Sequence, residues 1–306
     1  MTSSEPDLAV LTDDGTGVSR VVVEVDGIPM SALIREVPQP RAVIVALHGG
    51  AVTSRYFHYP DRPRQSLLWA GATLGYTVIA LDRPGYGESA GHAEQMNPPQ
   101  RRVDLAYAAV DRLLASRPRG AGVFLLAHSI GCELAVRMAC DERGTGLLGV
   151  ELAGSGRQHH DGALETMSQW RRDSSGPRRT GGSLRALLWE PTWLYPADVV
   201  GGYRILSPGP AYEGVLARTW APEFPQHAAR VRIPVHFTLG DHEKVWRSGP
   251  EALADLATLF TGSPRVVVEE QKDGGHNLSL GLSALAYHLK ILSFVEECLL
   301  ARGRAI

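Results

Sequence analysis

The sequence Gly122-Val-Phe-Leu-Leu-Ala-His-Ser-Ile-Gly131 decides how the chain folds. Its first part, residues 122–127, is an uninterrupted apolar run, with the length and composition of a strand that is buried on both faces. Ser129 follows almost at once, and a helical pattern then covers residues 132–140. The stretch therefore predicts a strand, a sharp turn with a central serine, and a helix.

Small residues flank this serine where such a turn is most crowded. Ala127 and Gly131 stand two positions before and two positions after Ser129. The helix that follows would direct its free N–H groups and the positive end of its dipole toward the serine. A strand-turn-helix of this kind lifts the serine hydroxyl above the sheet edge, as in a nucleophile elbow. We predict that Ser129 is a nucleophile; the alternative is a tight turn whose serine only caps the helix.

Short apolar runs alternate with helical patterns along most of the chain. The runs at 21–25 and 30–36 flank Asp26-Gly27 and predict a β-hairpin. Further strands are predicted at 42–47, 77–81, 122–127, 147–152, 235–239 and 265–268, and helices at 64–74, 100–116, 132–140, 250–260 and 282–300. The pattern indicates an α/β fold with a mostly parallel, eight-stranded sheet that carries helices on both faces.

One stretch, residues 155–232, interrupts this alternation because it contains no buried-strand pattern. We predict a first part of the core at 1–154, an inserted helical lid at 155–232, and a second part of the core at 233–306. Four aromatic residues of the insertion are candidates for binding substrate, with packing onto the core as the alternative for each: Trp189, Trp193, Tyr195 and Trp220. A polar section, 171–182, is either a mobile flap or a loop of no consequence.

Composition excludes several classes of function. The 306 residues, 44% of them hydrophobic, suffice for a soluble core with an insertion. A net charge of −2 gives no basic surface for nucleic acid. No run reaches the roughly 18 apolar residues of a membrane span, and the polar N-terminus lacks a signal-peptide pattern. We expect a cytoplasmic protein without nucleic-acid or membrane partners; its oligomeric state stays open, a homodimer included.

Neither the cysteines nor the histidines form a metal-binding pattern. Three cysteines are scattered along the chain, Cys132, Cys140 and Cys298. They fit buried apolar positions better than a disulfide or a metal site. His159, His160 and Asp161 are adjacent, but neighbours on one strand or loop point apart and no third ligand is evident. We expect no metal and no cofactor.

From residue 21 onward the chain resembles the α/β-hydrolase superfamily, because four motifs occur in the expected order. Besides the Ser129 turn, they are His48-Gly-Gly50, Asp82-Arg-Pro-Gly-Tyr-Gly-Glu-Ser89 and Gly274-Gly-His-Asn277. The second of these is similar to the family's D-x-x-G-x-G-x-S loop. Ala127 stands where the family usually has glycine, a tolerated variant. Epoxide hydrolases and dehalogenases of this fold would carry Asp at position 129, so the resemblance excludes both activities.

A serine hydroxyl needs a neighbouring base, and histidine has a suitable pKa. Among the 11 histidines, His276 lies in a glycine-rich loop between the last predicted strand and the last predicted helix. Such a loop can bring an imidazole over the sheet edge. We predict that His276 is the base, and that His48 and His128, within the sheet-edge motifs, are structural.

The acid that orients the imidazole is expected between the serine and the histidine in chain order. The predicted strand 235–239 ends in Gly240-Asp-His-Glu243, which offers two carboxylates. In the family this loop usually reads G-x-x-D. That register selects Glu243, with Glu in place of the usual Asp, and Asp241 remains the alternative.

The resemblance also implies an oxyanion hole built from backbone N–H groups. One donor is expected at Ile130, and the other at Gly50, with Ala51 as its alternative. The implied reaction is hydrolysis of an ester or thioester, with an apolar or bulky acyl group that is free or carrier-bound, through an acyl-enzyme on Ser129. An acyltransferase or cyclase, a C–C bond hydrolase or an amidase would use the same residues. A non-catalytic member of the fold also stays open, although it would not need all three side chains.

Overall fold

A computed structural model of the chain describes residues 9–13, 15–59, 61–167 and 182–304. Nearly all of the polar section predicted at 171–182 thus lies outside the described residues. Within the described ranges, nine strands form one sheet: β1 (Ala9–Asp13), β2 (Ser19–Val25), β3 (Ile28–Arg35), β4 (Val43–Leu47), β5 (Thr77–Leu81), β6 (Val123–His128), β7 (Gly149–Ala153), β8 (Val235–Gly240) and β9 (Val266–Gln271).

The order of strands across the sheet is β1-β2-β3-β5-β4-β6-β7-β8-β9. The pairs among β1, β2, β3 and β5 are antiparallel, whereas all pairs from β5 through β9 are parallel. The predicted α/β fold with a mostly parallel sheet is confirmed. β1 adds a ninth strand to the predicted eight; it is a short edge strand, and its pairing with β2 rather than a pattern of its own defines it.

Seven helices are described: α1 (Leu67–Thr73), α2 (Pro99–Leu113), α3 (Gly131–Cys140), α4 (Gly182–Trp189), α5 (Tyr212–Ala228), α6 (Pro250–Leu259) and α7 (Ala284–Arg304). Residues 163–167 are also helical. Short 3-10 helices occur at Ser54–Phe57, Pro63–Gln65, Gly87–Met96, Glu142–Gly146, Thr192–Leu194 and Leu278–Leu280. None of the helices within the described ranges is both long enough and apolar enough to cross a bilayer.

The sheet separates two hydrophobic cores. Along β4, Val43, Val45 and Leu47 enter one core, which also contains buried side chains of α2, α3, α5 and α6. The alternate residues Ile44 and Ala46 enter the other core, against α1 and α7. Successive side chains of a strand point to opposite faces, and both faces are covered. This explains why the central strands read as continuous apolar runs.

The connection between β7 and β8, residues 154–234, corresponds to the predicted insertion. It contains α4 and α5, and α5 packs against α3. A second part of the connection lies against the loop after β4, where Leu206 and Val52 form an antiparallel bridge. Two hydrogen bonds flank the bridge: Thr53 N donates to Ile205 O (3.1 Å), and Ser207 N donates to Ala51 O (3.0 Å). The β7–β8 connection is therefore anchored beside the carboxyl edge of the central strands.

Candidate active site

Ser129 occupies the turn between β6 and α3, with a backbone φ of +53°. Positive φ is costly for a residue with a side chain, and such strain is common at functional turns. The turn is held because the Ser129 N–H donates to Ala153 O at 2.8 Å. The predicted need for a small residue is also visible, since a Cβ on Gly131 would lie only 2.5 Å from His48 O.

His276 and Glu243 extend from Ser129 in a row of hydrogen bonds. The Nε2 atom of His276 lies 3.1 Å from Ser129 Oγ, and its Nδ1 lies 2.9 Å from Glu243 Oε2. A carboxylate only accepts, so Nδ1 carries the proton and Nε2 is left with a lone pair toward the serine. Both side chains are buried. The structure thus brings together the predicted nucleophile, base and favoured acid, in the tautomer that proton abstraction requires.

The two carboxylates offered by the loop after β8 have separate surroundings. Glu243 accepts from the backbone N–H of Val245 at 2.7 Å, which fixes its carboxylate beneath His276. Asp241 accepts instead from the backbone N–H of Gly274 at 3.0 Å and lies 3.5 Å from Lys272 Nζ. The alternative acid Asp241 therefore ties the loops after β8 and β9 together and does not contact the imidazole.

The His128 ring lies beside His276, with the ring centroids 5.0 Å apart. Burial, reinforced by the neighbouring His276, holds its pKa well below the ordinary value of 6.5, so the ring is neutral. Its Nε2 lies 2.8 Å from His276 O and must donate there, since a carbonyl only accepts. The ring also stacks on Tyr56, with centroids 4.3 Å apart. His128 supports the loop that carries His276, as the structural role predicted for it requires.

The loop after β4 touches the serine turn on the other side. A Cβ on Gly49 would lie 3.2 Å from Ser129 Cβ, and one on Gly50 would lie 3.4 Å from Ile130 Cγ2. Among the residues that the structure describes, neither the Gly50 N–H nor the Ile130 N–H has an acceptor. These two donors are thus free for a ligand beside Ser129.

Ala51, the alternative donor, is already engaged. Its N–H donates to the phenol oxygen of Tyr86 at 2.9 Å. The Tyr86 hydroxyl in turn donates to Glu213 Oε2 at 2.7 Å. An oxyanion could use the Ala51 N–H only by breaking this chain of hydrogen bonds, so the geometry favours Gly50.

Three of the four aromatic candidates for substrate binding are buried packing residues. Trp220 is 1% exposed on the inner face of α5, with Phe224 beside it. Tyr195 is buried and accepts through its hydroxyl from Asn277 N at 3.3 Å, and Trp189 packs edge-on against the Tyr195 ring. Trp193 alone among the four is largely exposed, at 59%, and its ring contacts His242 in the loop after β8. The packing alternative therefore describes Trp189, Tyr195 and Trp220.

A buried ion pair near the site has no counterpart in the sequence predictions. Arg83, in the loop after β5, pairs with Glu213 at the start of α5, and their side chains are 1% and 9% exposed. Burial disfavours the charged guanidinium, but Glu213, together with Tyr212 and Tyr86, raises the pKa of Arg83 above its ordinary value. Arg83 lies in the D-x-x-G-x-G-x-S motif, so its place at this sheet edge was open to prediction. Nothing in the sequence marks Glu213 as its partner.

The first residue of the same motif, Asp82, stabilises the fold through buried hydrogen bonds. Asp82 is buried and accepts from Ser31 Oγ at 2.6 Å and from Ser54 N at 2.7 Å. A Cβ on Gly87, whose φ is +55°, would lie 2.4 Å from the Asp82 carboxylate.

Across the described ranges, no group of three or more His, Cys, Asp or Glu side chains is arranged to hold a metal ion.

Residues 44–285, more than half of the chain, match a model described as the alpha/beta hydrolase family. The chain belongs to the alpha/beta hydrolase family. A curated relative, protein ABHD14A of Danio rerio, is 36% identical over 93 residues. That match covers 30% of this alpha/beta hydrolase and 32% of the relative, so the chain matches about a third of that relative's length.

Solved structures agree with the family at the level of the fold. The E-2-(acetamidomethylene)succinate hydrolase is 20% identical with a TM-score of 0.65, covering 91% of this chain and 99% of the other. The esterase RhEst1 from Rhodococcus sp. ECU1013 is 19% identical with a TM-score of 0.61, covering 92% and 99%. The thioesterase domain from the curacin biosynthetic pathway is 19% identical with a TM-score of 0.57, covering 90% and 99%.

Proposed function

We propose that this alpha/beta hydrolase is a serine hydrolase that cleaves an ester or thioester with an apolar or bulky acyl group. The observation that carries the proposal is the row Ser129–His276–Glu243, with Nε2 3.1 Å from Oγ and Nδ1 2.9 Å from the carboxylate. The row stands on a strained turn against two backbone N–H groups that have no acceptor among the described residues.

In the proposed reaction, Ser129 Oγ attacks the acyl carbon while His276 Nε2 takes its proton. Glu243 stabilises the imidazolium that forms. The Gly50 and Ile130 N–H groups bind the oxyanion of the tetrahedral intermediate. His276 then gives the proton to the departing alcohol or thiol, which leaves an acyl-enzyme. A water molecule, deprotonated by His276, attacks the acyl-enzyme. His276 then returns the proton to Ser129 Oγ as the bond to the acyl carbon breaks, which releases the acid.

Two exposed apolar side chains beside the site support a bulky acyl group. Trp193 contacts His242 in the loop after β8, next in sequence to Glu243, and Leu206, which is 49% exposed, pairs with Val52 in the loop after β4. Both side chains are therefore attached to loops that supply residues of the proposed site. An acyl group that covered either of them would remove apolar surface from water.

The test measures hydrolysis of two matched series, aryl esters and acyl thioesters, with short to long acyl chains. Wild type is expected to hydrolyse them with a preference for the longer chains. Ser129→Ala is expected to keep the thermal unfolding temperature and lose hydrolysis of every member. Hydrolysis that survives in Ser129→Ala, or a complete lack of hydrolysis by well-folded wild type across both series, contradicts the proposal.

A further inference from the structure

The peptide unit between Gly49 and Gly50 is held through its carbonyl group. Gly49 O accepts from Arg83 Nη2 at 2.9 Å. His48 Nε2 accepts from the backbone N–H of Arg83, so the ring proton is on Nδ1. Gly49 O therefore also accepts from His48 Nδ1, at 2.8 Å. In a trans peptide the C=O and the N–H point in opposite directions. Fixing the Gly49 carbonyl therefore fixes the direction of the Gly50 N–H.

The next peptide unit is held through its N–H group. Ala51 N donates to Tyr86 at 2.9 Å, so the two peptides that flank the Cα of Gly50 are both tied to side chains of the loop after β5. A Cβ on Gly50 would lie 3.1 Å from Glu213 Oε2, so the carboxylate is next to this backbone. Residues 49–51, the proposed oxyanion loop, are thus held at two consecutive peptides.

Both of these side chains end on one carboxylate. Glu213 Oε1 accepts from Arg83 Nη2, and Glu213 Oε2 accepts from the Tyr86 hydroxyl at 2.7 Å. Glu213 is the second residue of α5 and belongs to the β7–β8 connection. A single carboxylate of the connection therefore contacts both side chains that hold the loop.

We propose that Glu213 is a positioning residue for the oxyanion hole, acting through Arg83 and Tyr86 on the peptide that supplies the Gly50 N–H. The proposal rests on the proposed function of the site. A charged donor on Gly49 O also polarises the peptide and strengthens the N–H at its other end. Because the oxyanion exists only after attack, better placement of its donor raises kcat and leaves ground-state binding nearly unchanged.

The first test replaces Glu213 by Gln, which keeps the shape and removes the charge. Glu213→Gln is expected to lower kcat by about tenfold or more, since small misplacement of a catalytic group is costly, while KM changes less than about threefold. Affinity for a trifluoromethyl ketone, which forms a hemiketal oxyanion on the serine, should fall in parallel with kcat/KM. Glu223→Gln is the matched control on α5: Glu223 pairs with Arg137 at 2.9 Å on the surface, and its loss should leave kcat unchanged.

A second variant separates positioning from stability, because Glu213→Gln removes the carboxylate that pairs with the buried Arg83. The double variant Arg83→Gln/Glu213→Gln removes both charges. Its unfolding temperature is expected to recover toward wild type, while kcat stays low. Recovery of kcat together with the unfolding temperature would overturn the positioning role. Unchanged kcat in a folded Glu213→Gln would also overturn it.

Amide hydrogen exchange measures the stability of the hydrogen bonds in residues 49–51 without requiring any catalysed reaction. In Glu213→Gln the Ala51 N–H should exchange faster than in wild type and in Glu223→Gln, because Tyr86 loses its charged acceptor. Unchanged exchange at Ala51 overturns the inference whether or not the protein hydrolyses esters. Wild type that fails to react with acyl substrates, yet shows this faster exchange in the variant, instead contradicts the proposed function and leaves the loop coupling supported.

Discussion

On one side of Ser129 the proposed base and acid are held by their own loops, whereas on the other side the proposed oxyanion loop is in contact with side chains that meet a residue distant in sequence. Glu243 accepts from Val245 two positions away in sequence, and His276 follows β9 directly. The Gly50 loop contacts Arg83 and Tyr86, and both of these contact Glu213, which lies 130 positions from Arg83. In the proposed mechanism, local motifs therefore organise proton transfer, while the orientation of the oxyanion donor relies on the docked β7–β8 connection.

The largest effect is expected on the side of the acid. Glu243→Gln should lower kcat on the order of 10³-fold or more, by analogy with other serine triads that lose the carboxylate. Steady-state hydrolysis of one ester at saturating substrate measures it. Asp241→Asn is the matched control in the same loop and should cost far less, since Asp241 contacts Gly274 and Lys272 and not His276. The opposite ranking would show that the loop after β8 supplies its acid from another position.

A smaller effect is expected from removing one hydroxyl on the oxyanion side. Tyr86→Phe leaves the ion pair of Arg83 and Glu213 in place and removes the hydroxyl that accepts from the Ala51 N–H and donates to Glu213. Because Gly50 would be misplaced rather than lost, kcat should fall by roughly tenfold, with KM nearly unchanged. Steady-state kinetics on a single ester measure both kcat and KM. A loss as large as that of Glu243→Gln would remove the contrast between the two sides.

The β7–β8 connection contains both packing and exposed rings, and a pair of substitutions separates them. Trp220→Ala should destabilise the fold by about 3–5 kcal/mol, as for other large buried side chains. It should change kcat/KM for long-chain and short-chain esters by the same factor. Trp193→Ala should leave the denaturant midpoint unchanged, since surface changes are usually within ±0.5 kcal/mol, and lower kcat/KM selectively for long chains. Equal effects of Trp193→Ala on both esters would assign it no part in the acyl site.

The smallest effect is expected from a buried pair away from both sides. Burial opposes charge on His236, but Glu151 at 2.5 Å and Glu269 at 3.6 Å raise its pKa above 6.5, against the weaker influence of Lys290. A raised pKa in the folded state gives stability that is full below pH 6.5 and lost as the pH rises through the folded value. Urea unfolding should therefore show wild type losing more stability than His236→Gln above pH 6.5. Parallel pH profiles would contradict this.

Much of the candidate site follows from the sequence because each of its three side chains lies in the loop that follows a strand. Ser129, Glu243 and His276 follow β6, β8 and β9, and the carboxyl ends of parallel strands meet at one edge of the sheet. The apolar runs predict the strands, and small residues predict the tight turn. The chain order of the three residues adds the remaining constraint.

What the sequence does not show depends on docking between distant segments. Glu213 is one acid among many until α5 is placed against Arg83. Trp193 and Trp220 are both tryptophans of the predicted insertion, and the sequence does not distinguish them. Only the packing of the β7–β8 connection decides which ring is buried. β1 is likewise defined by its pairing with β2. In each case the deciding contact is tertiary, so no local pattern records it.

The residue that reacts covalently with a fluorophosphonate, found by peptide mass spectrometry, tests the role of Ser129 most directly. We expect one phosphonylated residue, Ser129, with labelling abolished in Ser129→Ala and strongly slowed in Glu243→Gln at unchanged unfolding temperature. Labelling on a different residue, labelling that persists in Ser129→Ala, or no labelling of folded wild type would contradict the assignment of Ser129 as a nucleophile activated by His276 and Glu243.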